Sequence, residues 1–395
     1  MPKISKRATN MPASPLRKLV GLAEQRKKQG IKVYHLNIGQ PDIKTPAPYY
    51  RELKKFKQNP TAYAQSQGLE ITRLAWQKYF KTVRINLKPE EIIITQGGSE
   101  ALIFAMCAVA DPGEEILAFE PFYTNYNGFG SIGGINIKAV TLSIKNGFHL
   151  PSNKEIEKSI TPKTKAFIFT NPSNPTGTVF KKAELARLVK LAIKHNLFII
   201  TDETYREFSF TGEKCFSLMN FKTAQDRVIL VDSASKRFNV CGARIGAIAS
   251  HNTEVMQAVL KFCMARLSVS TIEQLAVVPI LENSQKYITP VISEYKKRRD
   301  VVYEALKKIP CLTFSKPEGA FYIVCGLPVK SSENFAKWLI EKFDYQGETV
   351  LLAPAPGFYA TKDLGVNQVR LAYVLKTSAL KRALFILQKA LESYY

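Results

Sequence analysis

The sequence contains few cysteines and histidines, and both are widely spaced. Its six cysteines, at positions 107, 215, 241, 263, 311 and 325, include no Cys-x-x-Cys pair, and its four histidines are equally scattered along 395 residues. This spacing fits neither a disulfide framework nor the ligand pattern of a zinc site. We therefore expect a reduced, cytoplasmic protein without a metal centre, whose cysteines mostly pack as small apolar side chains.

Long apolar runs are also absent from the sequence. Segments such as 101–110 end in charge or proline, well short of the ~20 residues that a membrane helix needs, and no signal-type apolar stretch follows the N-terminus. Hydrophobic residues make up 46% and charged residues 23%, which excludes collagen-like, disordered and low-complexity classes. The length predicts two or three domains with sizeable cores and no membrane partner.

Acidic residues are scarce, with 33 against 56 basic residues and a net charge of +23. About half of the excess falls in residues 1–100, and a basic surface can bind nucleic acid or anionic membranes. The sequence has no RNP motif, zinc finger or basic region followed by heptads. We expect a solvated surface that favours anionic small molecules, with no nucleic-acid partner.

The N-terminal segment supports two interpretations. The first 20 residues are basic and acid-poor, which weakly resembles a transit peptide. Against this, residues 13–30 predict a capped amphipathic helix, with Ser14 before Pro15 and apolar residues at helical spacing.

Short apolar runs alternate with helical stretches over most of the chain. Because strands buried on both faces read as continuous apolar runs, we predict seven strands, at 91–95, 115–119, 135–140, 166–170, 197–201, 228–232 and 244–250. Helices between them, for example 99–110 and 182–195, indicate an α/β fold with a mostly parallel sheet.

The pattern changes after about residue 285. We predict helices at 290–308, 331–343 and 378–393 with strands at 312–314, 320–325 and 368–374, which together suggest a smaller α+β domain. The expected division is an N-terminal arm and part of the small domain at 1–44, a large domain at 45–288 and a small C-terminal domain at 289–395.

One segment matches a phosphate-binding motif in its glycine spacing but not in its predicted structural setting. Gly128-x-Gly130-x-x-Gly133 fits GxGxxG, but a strand follows it and no carboxylate lies about 20 residues further on. The dinucleotide fingerprint requires a strand before the glycines and a helix after them. We predict no dinucleotide site here.

Two other turns follow predicted strands. In Gly97-Gly98-Ser99-Glu100, glycines and a helix start at Ser99 could receive a phosphate, although an ordinary turn and cap would look similar. Two Asn-Pro pairs, beginning at Asn171 and Asn174, predict a stiff turn at a strand end that could fix the Asn174 amide or serve only as structure.

Charged residues follow two more strands. Asp202 ends a buried strand, so its carboxylate needs a cation, either a protonated ring nitrogen or a neighbouring arginine. In Ser233-Ala-Ser-Lys236, a lysine between small residues can approach a ring closely and act as a nucleophile. Arg244, eight residues later, is suited to a phosphate through its planar guanidinium group.

These motifs together resemble the class I and II pyridoxal-phosphate-dependent aminotransferases of fold type I, which include the aspartate aminotransferases. The resemblance covers nearly the whole chain in the family's order, with blocks at 37–42, 63–68, 98–101, 174–177, 202–205, 233–246 and 369–373. It implies a large domain with a seven-stranded, mostly parallel sheet, a small α+β domain and a homodimer with shared active sites.

The resemblance also implies roles for individual residues toward pyridoxal phosphate. Lys236 would form a Schiff base with the cofactor and move a proton as base and acid, which gives ping-pong transfer of an amino group between an L-amino acid and a 2-oxo acid. Asp202 would pair with the pyridine nitrogen, while Tyr205 and Asn174 would bind the phenolic oxygen.

Other residues would hold the two anionic groups. The implied phosphate ligands are Gly98, Ser99, Glu100, Ser233, Arg244 and, from the partner subunit, Tyr63 of this sequence. Tyr123, where many relatives have tryptophan, would stack on the ring. Arg370 would clamp the substrate α-carboxylate, with help from Gly39 and Asn174.

The sequence leaves the substrate and some alternatives open. Aspartate, aromatic, alanine and broad-range activities remain, and an aspartate-selective branch has lysine where this chain has Ser99. C–S β-lyase or cyclopropane-forming synthase chemistry on the same fold would share Lys236, Asp202 and Arg370. A nucleic-acid-binding regulator would need a separate helix-turn-helix domain, for which we expect no room before the resemblance begins near Ser14.

Overall fold

The structure is a computed structural model that describes residues 2–12 and 19–394. Its helices are α1 Lys6–Asn10, α2 Val20–Lys28, α3 Ala47–Lys55, α4 Glu70–Thr82, α5 Gly97–Val109, α6 Asn125–Gly133, α7 Asn153–Glu157, α8 Lys182–Lys194, α9 Ala234–Arg237, α10 Thr253–Arg266, α11 Thr271–Glu282, α12 Ser284–Leu306, α13 Ser332–Glu341 and α14 Thr377–Ser393.

The strands of the same residues fall into three sheets. They are β1 Lys32–His35, β2 Ile92–Thr95, β3 Glu115–Glu120, β4 Asn136–Thr141, β5 Thr164–Thr170, β6 Phe198–Asp202, β7 Val228–Ser233, β8 Gly246–Ala249, β9 Thr313–Phe314, β10 Tyr322–Gly326, β11 Glu348–Leu351, β12 Ala353–Pro354 and β13 Gln368–Ala372.

The largest sheet has seven strands within the described part of the chain, in the order β2-β8-β7-β6-β5-β3-β4. Only β8 runs antiparallel to its neighbours in this sheet. All seven predicted strands are present, with ends within two residues of the prediction. The α/β fold class and the mostly parallel sheet are therefore confirmed.

Side chains of this sheet alternate between two hydrophobic clusters. On β7, Ile229 packs with Leu102 and Val259 of α5 and α10, whereas Leu230 faces the opposite cluster with Leu188 of α8 and Ala276 of α11. Every residue of β3, β7 and β8 is buried. Burial on both faces explains why these strands read as continuous apolar runs.

The two smaller sheets join the ends of the chain. Strands β12, β13, β10 and β9 form an antiparallel sheet, and β1 pairs in parallel with β11. A separate core that includes Leu339, Val350 and Leu384 packs around them. Sequence reasoning missed β1 and β11, which mix polar with apolar residues instead of forming a continuous apolar run, and β12, which has only two residues, one of them a proline.

Two predicted helices require correction. Helix α12 begins at Ser284, not at residue 290, and it contains both Pro290 and the expected domain boundary at 288/289. Proline costs a helix one backbone hydrogen bond, but buried Ile288 and Val291 on either side anchor this helix to the cores.

Helix α2 begins at Val20 and buries only Ala23, while Ser14 and the rest of the predicted cap lie outside the described residues.

The topology gathers the carboxyl ends of several strands at one edge of the large sheet. Strands β3, β5, β6 and β7 are mutually parallel, and β2 runs in the same direction because both it and β7 are antiparallel to β8. The loops after all five strands therefore meet at this edge, where ligands bind in open α/β sheets. The glycine run 128–133 falls inside or at the end of α6, before β4, which is not the strand–turn–helix setting of a dinucleotide fingerprint.

Among the helices of residues 2–12 and 19–394, none combines the length and apolar content that a membrane crossing requires.

Candidate active site

A cleft of about 670 Å³ lies at this edge, between the large sheet and the four-stranded sheet. Eleven of the sequence-predicted residues line it: Gly39, Gly98, Ser99, Tyr123, Asn174, Asp202, Tyr205, Ser233, Lys236, Arg244 and Arg370. Residues far apart in the sequence thus meet in one concave site.

Lys236 lies on α9, a single helical turn that follows β7 directly. Its Nζ donates a hydrogen bond to the Gly39 carbonyl oxygen at 2.9 Å and lies 3.7 Å from Cys241 Sγ. The side chain is half-buried at the cleft wall, so a primary amine is available there for bonding to a carbonyl group.

Asp202 is the last residue of β6 and is buried at the cleft floor. Its Oδ1 accepts a hydrogen bond from the Thr204 N–H at 3.0 Å. Burial raises the pKa of Asp202 to about 6, and the charges of Asp232 and Glu203 also raise it. Within the described residues no basic side chain forms an ion pair with this carboxylate, so a bound cation would stabilise its charged form.

The N-terminus of α5 and Arg244 form an anion cradle. The helix begins at Gly97, two residues before the predicted start, with φ +76°, and a Cβ there would lie 2.4 Å from Arg244 Nη2. A Cβ on Gly98 would lie 3.7 Å from Ser233 Cβ. Free backbone N–H groups, a guanidinium and a hydroxyl thus surround one small space, which is the donor set that a phosphate requires.

Arg370 reaches the cleft from β13 of the small sheet. Its Nη1 donates to Asn174 Oδ1 at 3.1 Å, Nη2 donates to the Asn37 carbonyl oxygen, and the guanidinium lies 4.4 Å from the Tyr322 ring centroid. Burial lowers the pKa of Arg370, and its Nε has no hydrogen-bond partner in the described part of the chain. A buried guanidinium with an unused donor is suited to a carboxylate.

Two tyrosines complete the cleft wall. Tyr205 shares a 2.9 Å hydroxyl–hydroxyl hydrogen bond with Tyr322, while the Tyr123 hydroxyl accepts a hydrogen bond from Asn125 Nδ2 at 3.0 Å. Burial raises the pKa of Tyr123 to about 12 and moves that of Tyr205 well above its usual range. Both side chains are therefore neutral donors near pH 7.

Two predicted site residues lie elsewhere. The Glu100 carboxylate accepts a hydrogen bond from the Gln96 N–H at 2.8 Å and pairs with Arg266, so it caps α5 on the side away from the cleft. Tyr63 is 83% exposed and does not line the cleft of its own chain. Of the predicted phosphate turn at 98–100, Glu100 thus keeps only its backbone N–H as a predicted phosphate ligand.

Sequence reasoning also missed several cleft residues, including Thr204, Ser235 and Tyr322. The Ser235 hydroxyl accepts a hydrogen bond from the Ser233 hydroxyl at 2.9 Å, and this residue falls within a motif that the sequence displays. Tyr322 has no such signal, because it belongs to β10 and meets the cleft only through tertiary packing.

Comparison with known proteins gives a consistent result. Residues 31–350 match the family model for "Aminotransferase class I and II". The chain belongs to this family.

Relatives and solved structures of this aminotransferase cover nearly all of it. An aspartate aminotransferase from Thermotoga maritima is 31% identical over 99% of this chain and all of that protein. A (5-formylfuran-3-yl)methyl phosphate transaminase from Methanocaldococcus jannaschii is 31% identical over 96% of this chain and 97% of its own length. The structure of a single mutant of Thermus thermophilus aspartate aminotransferase superposes with a TM-score of 0.90, at 29% identity over 99% and 100% of the two chains.

The protein is thus a transaminase that depends on pyridoxal phosphate and acts on small amino and oxo acids. The cleft fits this cofactor on its own evidence. It offers an uncompensated buried carboxylate, a glycine-lined anion cradle and an accessible lysine.

The Asp202 environment predicts a pH-dependent gain in stability when its charge is removed. Because the folded-state pKa of about 6 lies above the unfolded value of about 3.9, ionised Asp202 destabilises the cofactor-free fold increasingly as pH rises through this window. Cofactor-free Asp202→Asn should therefore melt at a higher temperature than wild type above pH 6 and at a similar temperature near pH 4.

Thermal unfolding between pH 4 and 8 measures this difference. The matched control is Asp111→Asn, because the exposed Asp111 has no burial cost to remove. Equal melting temperatures of Asp202→Asn and wild type at pH 8 would contradict the assigned environment.

Proposed function

We propose that the enzyme transfers the amino group of aspartate to 2-oxoglutarate, with Lys236 as the residue that bonds the cofactor. The observation that carries this proposal is that a lysine, a buried carboxylate and a buried arginine with an unused donor line the same cleft. The aspartate aminotransferases from Thermotoga maritima and Thermus thermophilus support the choice of substrate.

We assign the cofactor contacts as follows. Asp202 would bind the protonated ring nitrogen, Tyr205 and Asn174 would donate to the phenolic oxygen, and Tyr123 would pack on the ring face. Ser233, Arg244 and the backbone N–H groups of Gly98, Ser99 and Glu100 would hold the phosphate. When bound, pyridoxal phosphate supplies an electron-accepting ring that stabilises negative charge at the substrate Cα.

The chain's own groups then perform the remaining steps. Arg370 binds the α-carboxylate, with Asn174 and the Gly39 backbone fixing its orientation, and so places the Cα–H bond beside Lys236. The Lys236 amine would take the proton from the substrate Cα as general base and deliver it to C4′ of the cofactor as general acid. Tyr205 and Tyr322, joined by their hydroxyl groups, form part of the cleft wall beside this transfer.

The active form is proposed to be a homodimer that shares its active sites. Thr271 Oγ1 donates to the Ala62 carbonyl oxygen at 2.9 Å, which holds the Tyr63 loop beside the start of α11, and Arg266 Nη2 at the end of α10 donates to the Ser66 carbonyl oxygen at 3.4 Å. On this loop and around the end of α10, Tyr63, Met264 and Leu267 are 83%, 56% and 57% exposed. A second copy of the chain would cover them and receive Tyr63 at its phosphate site.

Two further proposals concern organisation and location. We divide the chain into an arm at 1–44, a large domain at 45–288 and a small domain at 289–395, because the large sheet and the small sheets pack around separate cores. A cytoplasmic location is supported by six cysteines that are all free thiols.

Substitution of Arg370 tests the proposed function. Wild-type protein with bound cofactor should show a visible absorption band that aspartate alone bleaches, with one equivalent of oxaloacetate released. Arg370→Gln should lower kcat/KM for aspartate about 10- to 100-fold, because a charged hydrogen-bonded contact is lost, whereas its visible band persists.

Surface variant Arg84→Gln is the matched control and should react like wild type. Ammonia or sulfide release without an oxo-acid requirement would contradict transamination in favour of lyase chemistry. A visible band that is insensitive to aspartate and glutamate would contradict the proposed substrate.

Mixed dimers test whether Tyr63 acts across the subunit interface. A Lys236→Ala chain paired with a Tyr63→Ala chain should contain one intact site, since Lys236 of one chain would meet Tyr63 of the other. Isolated mixed dimers should therefore bind one equivalent of cofactor with wild-type affinity, as measured by fluorescence titration. If both sites of the mixed dimer are impaired, Tyr63 acts within its own chain. If the Tyr63→Ala homodimer binds the cofactor with wild-type affinity, Tyr63 has no role in the site.

A further inference from the structure

A second set of charged side chains lies directly behind the cleft. Five ionisable residues and one tyrosine form this buried charge network: Tyr79, Glu203, Arg206, Glu207, Asp232 and Arg237. The charged side chains are at most 6% exposed, and Asp232 and Arg237 are fully buried. None of the six lines the cleft.

Members of the network alternate along the chain with the cleft residues. Glu203 follows Asp202, and Arg206 follows Tyr205. Asp232 precedes Ser233, and Arg237 follows Lys236. Each of these backbone segments therefore presents one side chain to the cofactor site and the next to the network.

Asp232 and Arg237 flank the segment that carries Lys236 and form an ion pair with each other. Arg237 Nη2 donates to Asp232 Oδ1 at 2.6 Å, and Nη1 donates to Oδ2 at 3.1 Å. Asp232 Oδ1 also accepts the Ser233 N–H at 2.7 Å. A two-point ion pair thus spans the four residues from Ser233 to Lys236, and paired bonds of this kind fix orientation as well as distance.

The same carboxylate connects this segment to the one that carries Asp202. Arg206 Nη1 donates to Asp232 Oδ2 at 3.0 Å, while Arg206 Nε donates to Glu203 Oε2 at 2.6 Å. Arg237 Nε donates to Glu207 Oε2 at 2.9 Å. Asp232 therefore links the segment of Asp202 to the segment of Lys236. In the proposed function these two residues would contact opposite ends of the cofactor ring.

Stability alone gives little reason for such an arrangement. Removing five charges from water costs several kcal/mol per ion, and well-packed apolar replacements of a buried ion pair are often as stable or more stable. The two-point geometry and shared carboxylate are better explained by a need to fix the cleft segments relative to each other.

We propose that Asp232 and Arg237 are positioning residues of the cofactor site, whose ion pair holds Lys236 and Ser233 in place and, through Arg206, aligns them with Asp202. This inference rests on the proposed roles of Lys236 and Asp202. It adds two residues that touch neither cofactor nor substrate.

The proposal predicts opposite spectroscopic effects for two substitutions. The visible absorbance of the cofactor changes with pH as the nitrogen that joins it to Lys236 loses its proton. Arg237→Met removes a buried positive charge and should raise the midpoint pH of this change, whereas Asp232→Asn removes a negative charge and should lower it. Both should weaken pyridoxal phosphate binding about 10-fold or more, as losses behind a site commonly do.

Other groups that affect this midpoint are unchanged in the variants. The titratable or charged side chains that face Lys236 across the cleft are Tyr123, Asp202, Tyr205, Cys241, Arg244, Tyr322 and Arg370. Arg237→Lys, which keeps the charge but loses the two-point geometry, should retain the wild-type midpoint and restore only part of the binding affinity.

A matched control separates positioning from a general effect on folding. Arg299 is also a buried arginine, but it donates to the Pro317 carbonyl oxygen at 2.8 Å, outside the site. Arg299→Met should lower the melting temperature of the cofactor-free protein without changing the midpoint pH or the cofactor affinity.

The outcomes distinguish this inference from the proposed function. If the Arg237→Met and Asp232→Asn proteins melt at lower temperatures but keep the wild-type midpoint and affinity, the network is structural only and the proposal is wrong. If Arg237→Met does not fold, Asp232→Asn and Arg237→Lys decide the question. If wild-type protein itself gains no visible band, the proposed function fails first.

Discussion

Strands β5, β6 and β7 pair in parallel, so the residues that follow them or end them, including Asn174, Asp202 and Lys236, meet at one edge of the large sheet. The antiparallel strand β8 delivers Arg244 to this edge from the opposite direction. Because each segment leaves a strand buried on both faces, its starting point is fixed by the core. The sheet thus fixes the positions of the site residues, and the loops supply the side chains that bind and react.

The charged side chains of the cleft match the charges of the ligands that we propose for it. Lys236, Arg244 and Arg370 line it opposite one acid, Asp202, which suits a phosphate and a carboxylate as ligands. Burial disfavours the charged state of both Asp202 and Arg370 in the absence of partners. A cationic ring bound beside Asp202 and an anionic substrate bound beside Arg370 would each stabilise the charged form of that side chain. The unpaired charges of the free cleft therefore favour binding of the proposed ligands.

Sequence reasoning captured the large sheet and most of the cleft, because buried strands give continuous apolar runs and the residues after them carry distinctive chemistry. It missed β1 and β11, in which polar residues interrupt the apolar run, and the two-residue strand β12. It began α12 too late because Pro290 resembled a helix start. Glu100 lies in the predicted turn, yet its side chain faces away, since a helix directs successive residues about 100° apart. Tyr322 and the buried charge network arise only from tertiary contacts, which no local pattern reveals.

The central claim is that Lys236 is the residue that bonds pyridoxal phosphate, and covalent mapping tests it most directly. Holoenzyme is reduced with borohydride, which converts the linkage to a stable amine, and its peptides are sequenced by mass spectrometry. The account predicts one modified lysine per chain, at Lys236, and loss of the modification after addition of aspartate before reduction. Modification of a different lysine, or of many lysines equally, would contradict it.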